Sequence, residues 1–448
     1  MFPAREISAQ TGAEGRLHGQ WTLAALRGSR MRPRFNGLWR HRDFTKLWAG
    51  QSVSLFGSML TLIALPLTAL LTLNSRPLEQ GFLQAVQAGP VLVTGLFAGV
   101  WVDRLRRRPV MIVADLARAV LLLSIPATAF AGRLTMVQLY VVAAAVAVFT
   151  ALFDAAYPAY LPTLVGRENL VEGNAKLSAT SSVAEMGGFA AAGALVQFLS
   201  GPLAILVDAL TFVVSALTLG WIRTPEPDPN SKDLRRSAGR EAVEGISVVR
   251  RDPTLRALVA CSTTFRLAGG VFASMYMLFA VRELGLSPAA AGVIAGCGGL
   301  GSLIGSMLAQ PALRRLGVKA TLVSGFALGG AFQCLVPLAH GTTLQAALFL
   351  LTAQVLGDGL LTMAFVNDSS LRQALVPDRL LGRVSATANV LGVVAMPIGA
   401  LAGGIIGQLA SPRAALAGAA LTFTLASLWV VAAPIRTPGH DVGGERLE

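Results

Sequence analysis

Charged side chains set inside apolar segments are where this sequence can do chemistry. Glu185, Arg266 and Asp358 each fall near the middle of an apolar run long enough to cross a bilayer, and Asp115, Arg118, Asp154 and Asp208 lie within others. An ionisable group at mid-bilayer costs at least about 2.5–3.5 kcal/mol on insertion scales, so each of these residues demands a reason. Carboxylates in poorly solvated sites can load and release protons. Glu185 has no basic residue within one turn on its own helix, which makes it the first candidate for proton coupling, with Asp154 second. The competing reading of each is a neutral acid bonded to a neighbouring helix. Arg266 and Asp358 lie at similar depth and predict an ion pair, either beside a substrate path or purely structural. Asp115 and Arg118, three apart, share a helix face and predict a pair near the inner gate. Gln51, Asn367 and Asn389 are candidate partners for a polar substrate, against the alternative of helix-to-helix hydrogen bonds.

The elements that must position these groups are transmembrane helices. Of 448 residues, 54% are hydrophobic and 14% charged, against about 45–50% and 25% in soluble domains. The apolar residues gather into twelve runs, roughly 47–73, 80–102, 109–130, 136–160, 175–199, 202–222, 256–280, 288–310, 320–339, 343–369, 384–409 and 413–433. A run of about 20 spans the hydrocarbon core. The gaps alternate. One set is rich in arginine and lysine, while the other holds only Arg76, Arg133, Arg282 and Arg413. Basic loops stay in the cytoplasm, so both termini and the long middle loop of this multi-pass chain are expected there. The net charge of +13 therefore reads as orientation, not nucleic-acid binding.

Other chemistries have little to work with. Cys261, Cys297 and Cys334 lie far apart in apolar runs, and His18, His41, His340 and His440 sit outside the span interiors. Neither set suggests a metal site, a cofactor or a nucleophilic triad. No Gly-Lys-Ser/Thr phosphate loop is present, so an ATP-driven motor of that type is not expected, and neither is an enzyme.

The expected organisation is a tail over 1–45, a six-helix bundle over 46–222, a central loop over 223–255, a second bundle over 256–435 and a tail over 436–448. Residues 1–30 read as a disordered tail, and Met31 is an alternative start. Residues 234–250 have helical apolar spacing among Arg and Glu, which predicts either a helix on the inner membrane surface or a plain charged linker. The two bundles look like copies. At a constant offset of 211 positions, Leu164-Val165 falls on Leu375-Val376, Gly193 on Gly404, Gln197 on Gln408, Ser200 on Ser411, and Ala209-Leu-Thr-Phe212 on Ala420-Leu-Thr-Phe423. Parallel six-helix repeats with a mid-membrane site between them are a transporter architecture.

After the second run comes Gly99-Val-Trp-Val-Asp103-Arg104-Leu-Arg-Arg107-Arg108. Gly99 allows a close helix approach, Asp103 can complement a neighbouring helix N-terminus, and the arginines can pair with carboxylates of the other half or with lipid headgroups. Gly-x-x-x-Asp-Arg-x-x-Arg-Arg between helices two and three resembles the signature loop of the major facilitator superfamily, and the resemblance covers residues 40–435. The second-half copy, Leu313-Arg314-Arg315-Leu-Gly-Val-Lys319, has lost the acidic residue. Leu47-Trp-Ala-Gly-Gln-Ser-Val-Ser, Asp115-Leu-Ala-Arg118, Tyr160-Leu-Pro-Thr-Leu-Val165 and Asp208-Ala-Leu-Thr-Phe look like its enterobactin-exporter and macrolide-efflux branch. The resemblance implies an all-α membrane protein of twelve helices in two pseudo-symmetric bundles. It places Asp154, Arg266 and Asp358 on cavity-lining helices. It implies a monomeric, secondary-active transporter embedded in membrane lipid, exporting drug-like amphiphiles or siderophores in exchange for protons by alternating access. An importer or lipid transporter on the same fold, or a non-transporting sensor or scaffold, is the alternative.

Overall fold

The computed structural model describes residues 37–90, 105–226 and 238–435. Its helices are α1 (Arg42–Leu71), α2 (Pro77–Ala88), α3 (Arg107–Phe130), α4 (Met136–Val165), α5 (Leu170–Phe198), α6 (Gly201–Gly220), α7 (Ala238–Arg251), α8 (Pro253–Leu278), α9 (Pro288–Leu316), α10 (Val318–Gln333), α11 (Thr343–Leu375), α12 (Asp378–Leu409) and α13 (Pro412–Ala432). Ten of the described helices are long and apolar enough to cross a membrane. α5 is long enough but is diluted by Glu172, Lys176, Glu185 and several serines and threonines. It is packed between α1 and α9, so much of its surface meets protein. Gly99, Asp103 and Arg104 of the signature loop lie outside the described residues.

Local chemistry sets the helix starts. Asp252, Ser287 and Ser411 each precede a proline at the first helical position and accept backbone N–H groups two or three residues on, which supplies partners that the first turn otherwise lacks. The 211-residue offset holds at four helix starts: α1 and α8, α2 and α9, α3 and α10, and α6 and α13 begin at equivalent positions. Packing repeats too. α1 lies on α5 and α6 as α8 lies on α12 and α13, and α3 lies on α4 and α6 as α10 lies on α11 and α13.

The bundles meet through α2 with α12 and through α5 with α9. Gly81 crosses Gly404, and a Cβ added at Gly81 would stand 2.6 Å from the Gly404 Cα. Gly193 crosses Gly292, where the same construction gives 3.0 Å. Gly81 and Gly292 are repeat equivalents, as are Gly193 and Gly404, so the two crossings are one contact made twice about the pseudo-two-fold axis. Both lie toward the arginine-poor end. There Gln197 Oε1 also accepts the Ala289 N–H at 3.1 Å, and Arg282 donates to the Ser75 carbonyl and to Asn74 Oδ1, each at 3.0 Å.

At the other end, residues 238–251 form the helix α7, not the plain charged linker of the alternative reading. Gly245 sits against the Arg383 carbonyl and the Thr387 side chain, and Val249 packs with Leu255, Val259 and Val384. The apolar side of its second half is thus seated on α12 and α8. The chain leaving α6 is also strapped down. Asp43 Oδ2 accepts from the backbone N–H groups of Arg223 and Thr224, and Glu226 accepts from those of Arg107 and Arg108 at 2.6 and 3.1 Å. Glu226 therefore caps α3, where a carboxylate is favoured by the helix dipole. Glu226→Ala is expected to lower stability by about 1 kcal/mol, read as a small drop in the unfolding midpoint of the detergent-solubilised protein.

Candidate functional site: a two-chamber cavity between the bundles

Two adjoining chambers lie between the halves. One, of about 630 Å³, is mostly built from the C-terminal bundle. The other, of about 380 Å³, is mostly built from the N-terminal bundle. Leu62, Gln84, Arg266 and Met396 line both, so Arg266 stands at the junction.

The larger chamber holds three of the residues singled out from the sequence: Glu185 from α5, Arg266 from α8 and Asp358 from α11. A π turn over Ala353–Gly357 immediately precedes Asp358. Asp358 Oδ1 accepts from Gln333 Nε2 at 2.9 Å. Gly298 leaves room for its other oxygen, since a Cβ there would stand 2.5 Å from Oδ2. Glu185 is its electrostatic neighbour across the chamber. The expected Arg266–Asp358 ion pair does not form: among the described residues, no ion pair reaches Arg266. Its side chain lies along the open face of Gly392 and its charge is presented to the cavity. Phe265, Phe272, Phe365 and Phe423 supply an aromatic wall, and Phe326 packs behind it. Ring centroids are 4.5 Å apart for Phe265–Phe423 and 5.3 Å apart for Phe265–Phe365.

The remaining candidates separate. Asn367 is 5% exposed and donates to the Ala309 carbonyl of α9 at 3.2 Å and the Met363 carbonyl at 2.8 Å, which is a helix-to-helix bond. Gln51 and Asn389 are not among the residues lining either chamber. Among the described residues, no ion pair or hydrogen bond carries Arg107 or Arg108 across to the other half. Arg108 donates to the Leu219 and Gly220 carbonyls, where a cation suits the C-terminal end of α6. Asp115 and Arg118 do pair, but not at the inner gate. Arg118 is about 16 Å along α3 at 1.5 Å per residue, half-way through the bundle. Asp154 belongs to the same cluster as Arg118 and is not among the chamber-lining residues.

Sequence reasoning missed the aromatic wall, the Gln333–Asp358 bond, the buried Asp368–Arg372 pair on α11 and the place of Asp208 on the smaller chamber. The repeat offset carried part of the signal. Ser54, Thr61, Asp115, Asp154 and Phe212 map onto Phe265, Phe272, Phe326, Phe365 and Phe423.

The sequence model of the Major Facilitator Superfamily matches residues 47–281 and 261–447. The chain belongs to that superfamily. This superfamily member is 26% identical over 275 residues to macrolide efflux protein A of Streptococcus pyogenes, covering 60% of this chain and 66% of the relative. It is 26% identical over 384 residues to the multidrug efflux pump Tap of Mycolicibacterium fortuitum, covering 83% and 89%. Among solved structures, a bacterial homologue of the iron transporter ferroportin in its inward-facing state superposes with a TM-score of 0.70 at 19% identity, over 87% of this chain and 98% of that one. The molecule is thus a multi-pass membrane transporter with the all-α major facilitator fold, and not an enzyme.

Proposed function

We propose that this transporter exports amphiphilic, drug-like molecules from the cytoplasm by alternating access, driven by proton exchange. The observation that carries the reading is the larger chamber itself. An aromatic wall there faces two carboxylates, Glu185 and Asp358, between halves tied together at the arginine-poor end. Aromatic faces take up apolar surface and attract cations, and the paired acids suit a protonated amine. The efflux functions named for the two relatives support the direction. The distribution of arginine and lysine supports a bacterial inner-membrane protein with cytoplasmic termini, in which case the described state opens toward the cytoplasm. The bundles over 46–222 and 256–435 then act as the rocking bodies about the 223–255 loop. One chain completes both chambers, which supports action as a monomer.

Glu185 is the first candidate to exchange a proton for cargo, because it faces Asp358 in the chamber where cargo would sit. The test is efflux of ethidium and of labelled erythromycin from energised cells, with and without a protonophore. Wild type is expected to extrude at least one probe in a protonophore-sensitive way, and Glu185→Gln to fall to the level of cells lacking the transporter. Protonophore-insensitive efflux would remove proton coupling, and full efflux by Glu185→Gln would remove Glu185 from it. A second reading, export of an anionic catecholate siderophore, is favoured by the unpaired Arg266. Energised efflux of a labelled catecholate, lost in Arg266→Gln, would support it.

A further inference from the structure

In the N-terminal bundle, one buried arginine holds one carboxylate in direct contact, with Asp208 and the more exposed Asp154 further off. Arg118 is ion-paired with Asp115, and Asp154 and Asp208 act on it electrostatically. Its guanidinium lies between the rings of Phe153 and Phe212, at 4.7 and 4.1 Å from their centroids. The side chain of Arg118 is 4% exposed, that of Asp115 is fully buried, and Asp208 is 1% exposed. The group is not saturated, since Arg118 Nε and Asp115 Oδ2 are buried without a hydrogen-bond partner. Its opening is Asp208, which lines the smaller chamber with Thr61, Gln84, Gln87 and Thr150.

The repeat shows that the fold does not require these charges. In the C-terminal bundle Asp115 and Asp154 are replaced by Phe326 and Phe365, and Asp208 and Arg118 by Ala419 and Gly329. The same helix packing is built there around phenyl rings that meet edge-to-face and at a tilt. Buried ion pairs can commonly be exchanged for apolar residues without loss of stability. A cluster of three acids and one base, kept in one copy and absent from the other, thus needs a reason other than packing.

We propose that this cluster is a proton-loading site separate from the cargo chamber, with Asp208 as the carboxylate that takes a proton from chamber water and returns it there. The inference rests on the proton-coupled reading above and adds to the exchange at Glu185 a loading step in the N-terminal bundle. The groups facing Asp208 are Thr61 and the backbone at Gly57 from α1, Asp115 and Arg118 from α3, Asp154 of α4 acting through Arg118, and Thr211 of its own helix at 3.1 Å. Arg266 of α8 is also on the chamber wall. With every acid ionised the cluster carries a net charge of −2, and proton uptake lowers this to −1. Gly57 packs directly on the Asp208 carboxylate, so the change is felt by α1, which lines both chambers. Proton loading in one repeat and cargo binding in the other then act on opposite walls of one cavity.

The test needs no known cargo. The purified full-length protein in lipid nanodiscs is titrated between about pH 5 and pH 9 while the infrared carboxyl C=O stretch is followed. The expected result is a titrating band in wild type that Glu185→Gln retains and Asp208→Asn removes. Asp208→Glu is expected to restore a band at a shifted frequency and midpoint, which a purely structural carboxylate would not do. Thermal unfolding confirms that each variant is folded. A band unchanged in folded Asp208→Asn, a band removed by Glu185→Gln, or no titrating band in wild type would overturn the inference. None of these outcomes bears on the protonophore sensitivity of wild-type efflux, which tests the underlying reading by itself.

Discussion

Arg118→Ala is expected to be among the most damaging single substitutions in the N-terminal bundle. Removing one partner of a buried ion pair strands the other, which costs about 3–5 kcal/mol. Here the loss would leave Asp115 fully buried, with Asp154 and Asp208 close by and no cation among them. The rings of Phe153 and Phe212 also lose the group stacked between them. The expected readout is a large drop in the unfolding midpoint in detergent, together with poor membrane yield. Arg118→Lys should fall between wild type and alanine, since it keeps the charge and loses the planar fork. Combining Arg118→Leu with Asp115→Leu should recover much of the stability, because no unpaired member of that pair remains. An alanine variant as stable as wild type would show that the pair is not holding α3 in place.

Gly81→Leu is expected to act on transport with little effect on the fold of either bundle. At the crossing with Gly404 there is no space for a Cβ, let alone a branched side chain. Overpacking costs about 1–3 kcal/mol, and here the cost falls on the conformation in which the halves touch at the arginine-poor end. A bias of that size shifts a two-state equilibrium by about 5–150-fold. Gly292→Leu loads the repeat-related crossing with Gly193, and the two changes together should approach the sum. The measurement is labelling of a cysteine placed at Gln84, which lines both chambers, by a membrane-impermeant maleimide added outside cells. Labelling is expected to be slow with the crossings intact and faster with leucine at either one. Unchanged labelling would mean that the glycine crossings do not control access from that side.

Legibility followed the range of the forces involved. The span count, the basic and arginine-poor loop sets and the offset of 211 positions were readable because bilayer thickness, loop charge and repeat ancestry act on every residue of a helix alike. The apolar runs beginning at 256 and 413 came within three residues of the helix starts at Pro253 and Pro412, which the Asp252 and Ser411 caps set locally. Depth was readable from residue count, and it brought Glu185, Arg266 and Asp358 into one layer.

Partners within that layer were not readable. Arg266 and Asp358 share a chamber, but Asp358 is bonded to Gln333 and Arg266 lies along Gly392, because azimuth around each helix decides what a side chain meets. Asn367 turned to α9 for the same reason. By itself the sequence determined a multi-span, two-repeat membrane chain and the depth of its charges, since those follow from composition and periodicity, while the resemblance of its signature loop pointed to a transporter. The tertiary structure alone decided that Asp208 and Asp154 come near the Asp115–Arg118 pair in one repeat while phenyl rings fill the equivalent space in the other. Contacts between helices depend on rotation and crossing, and no property of a single helix encodes them.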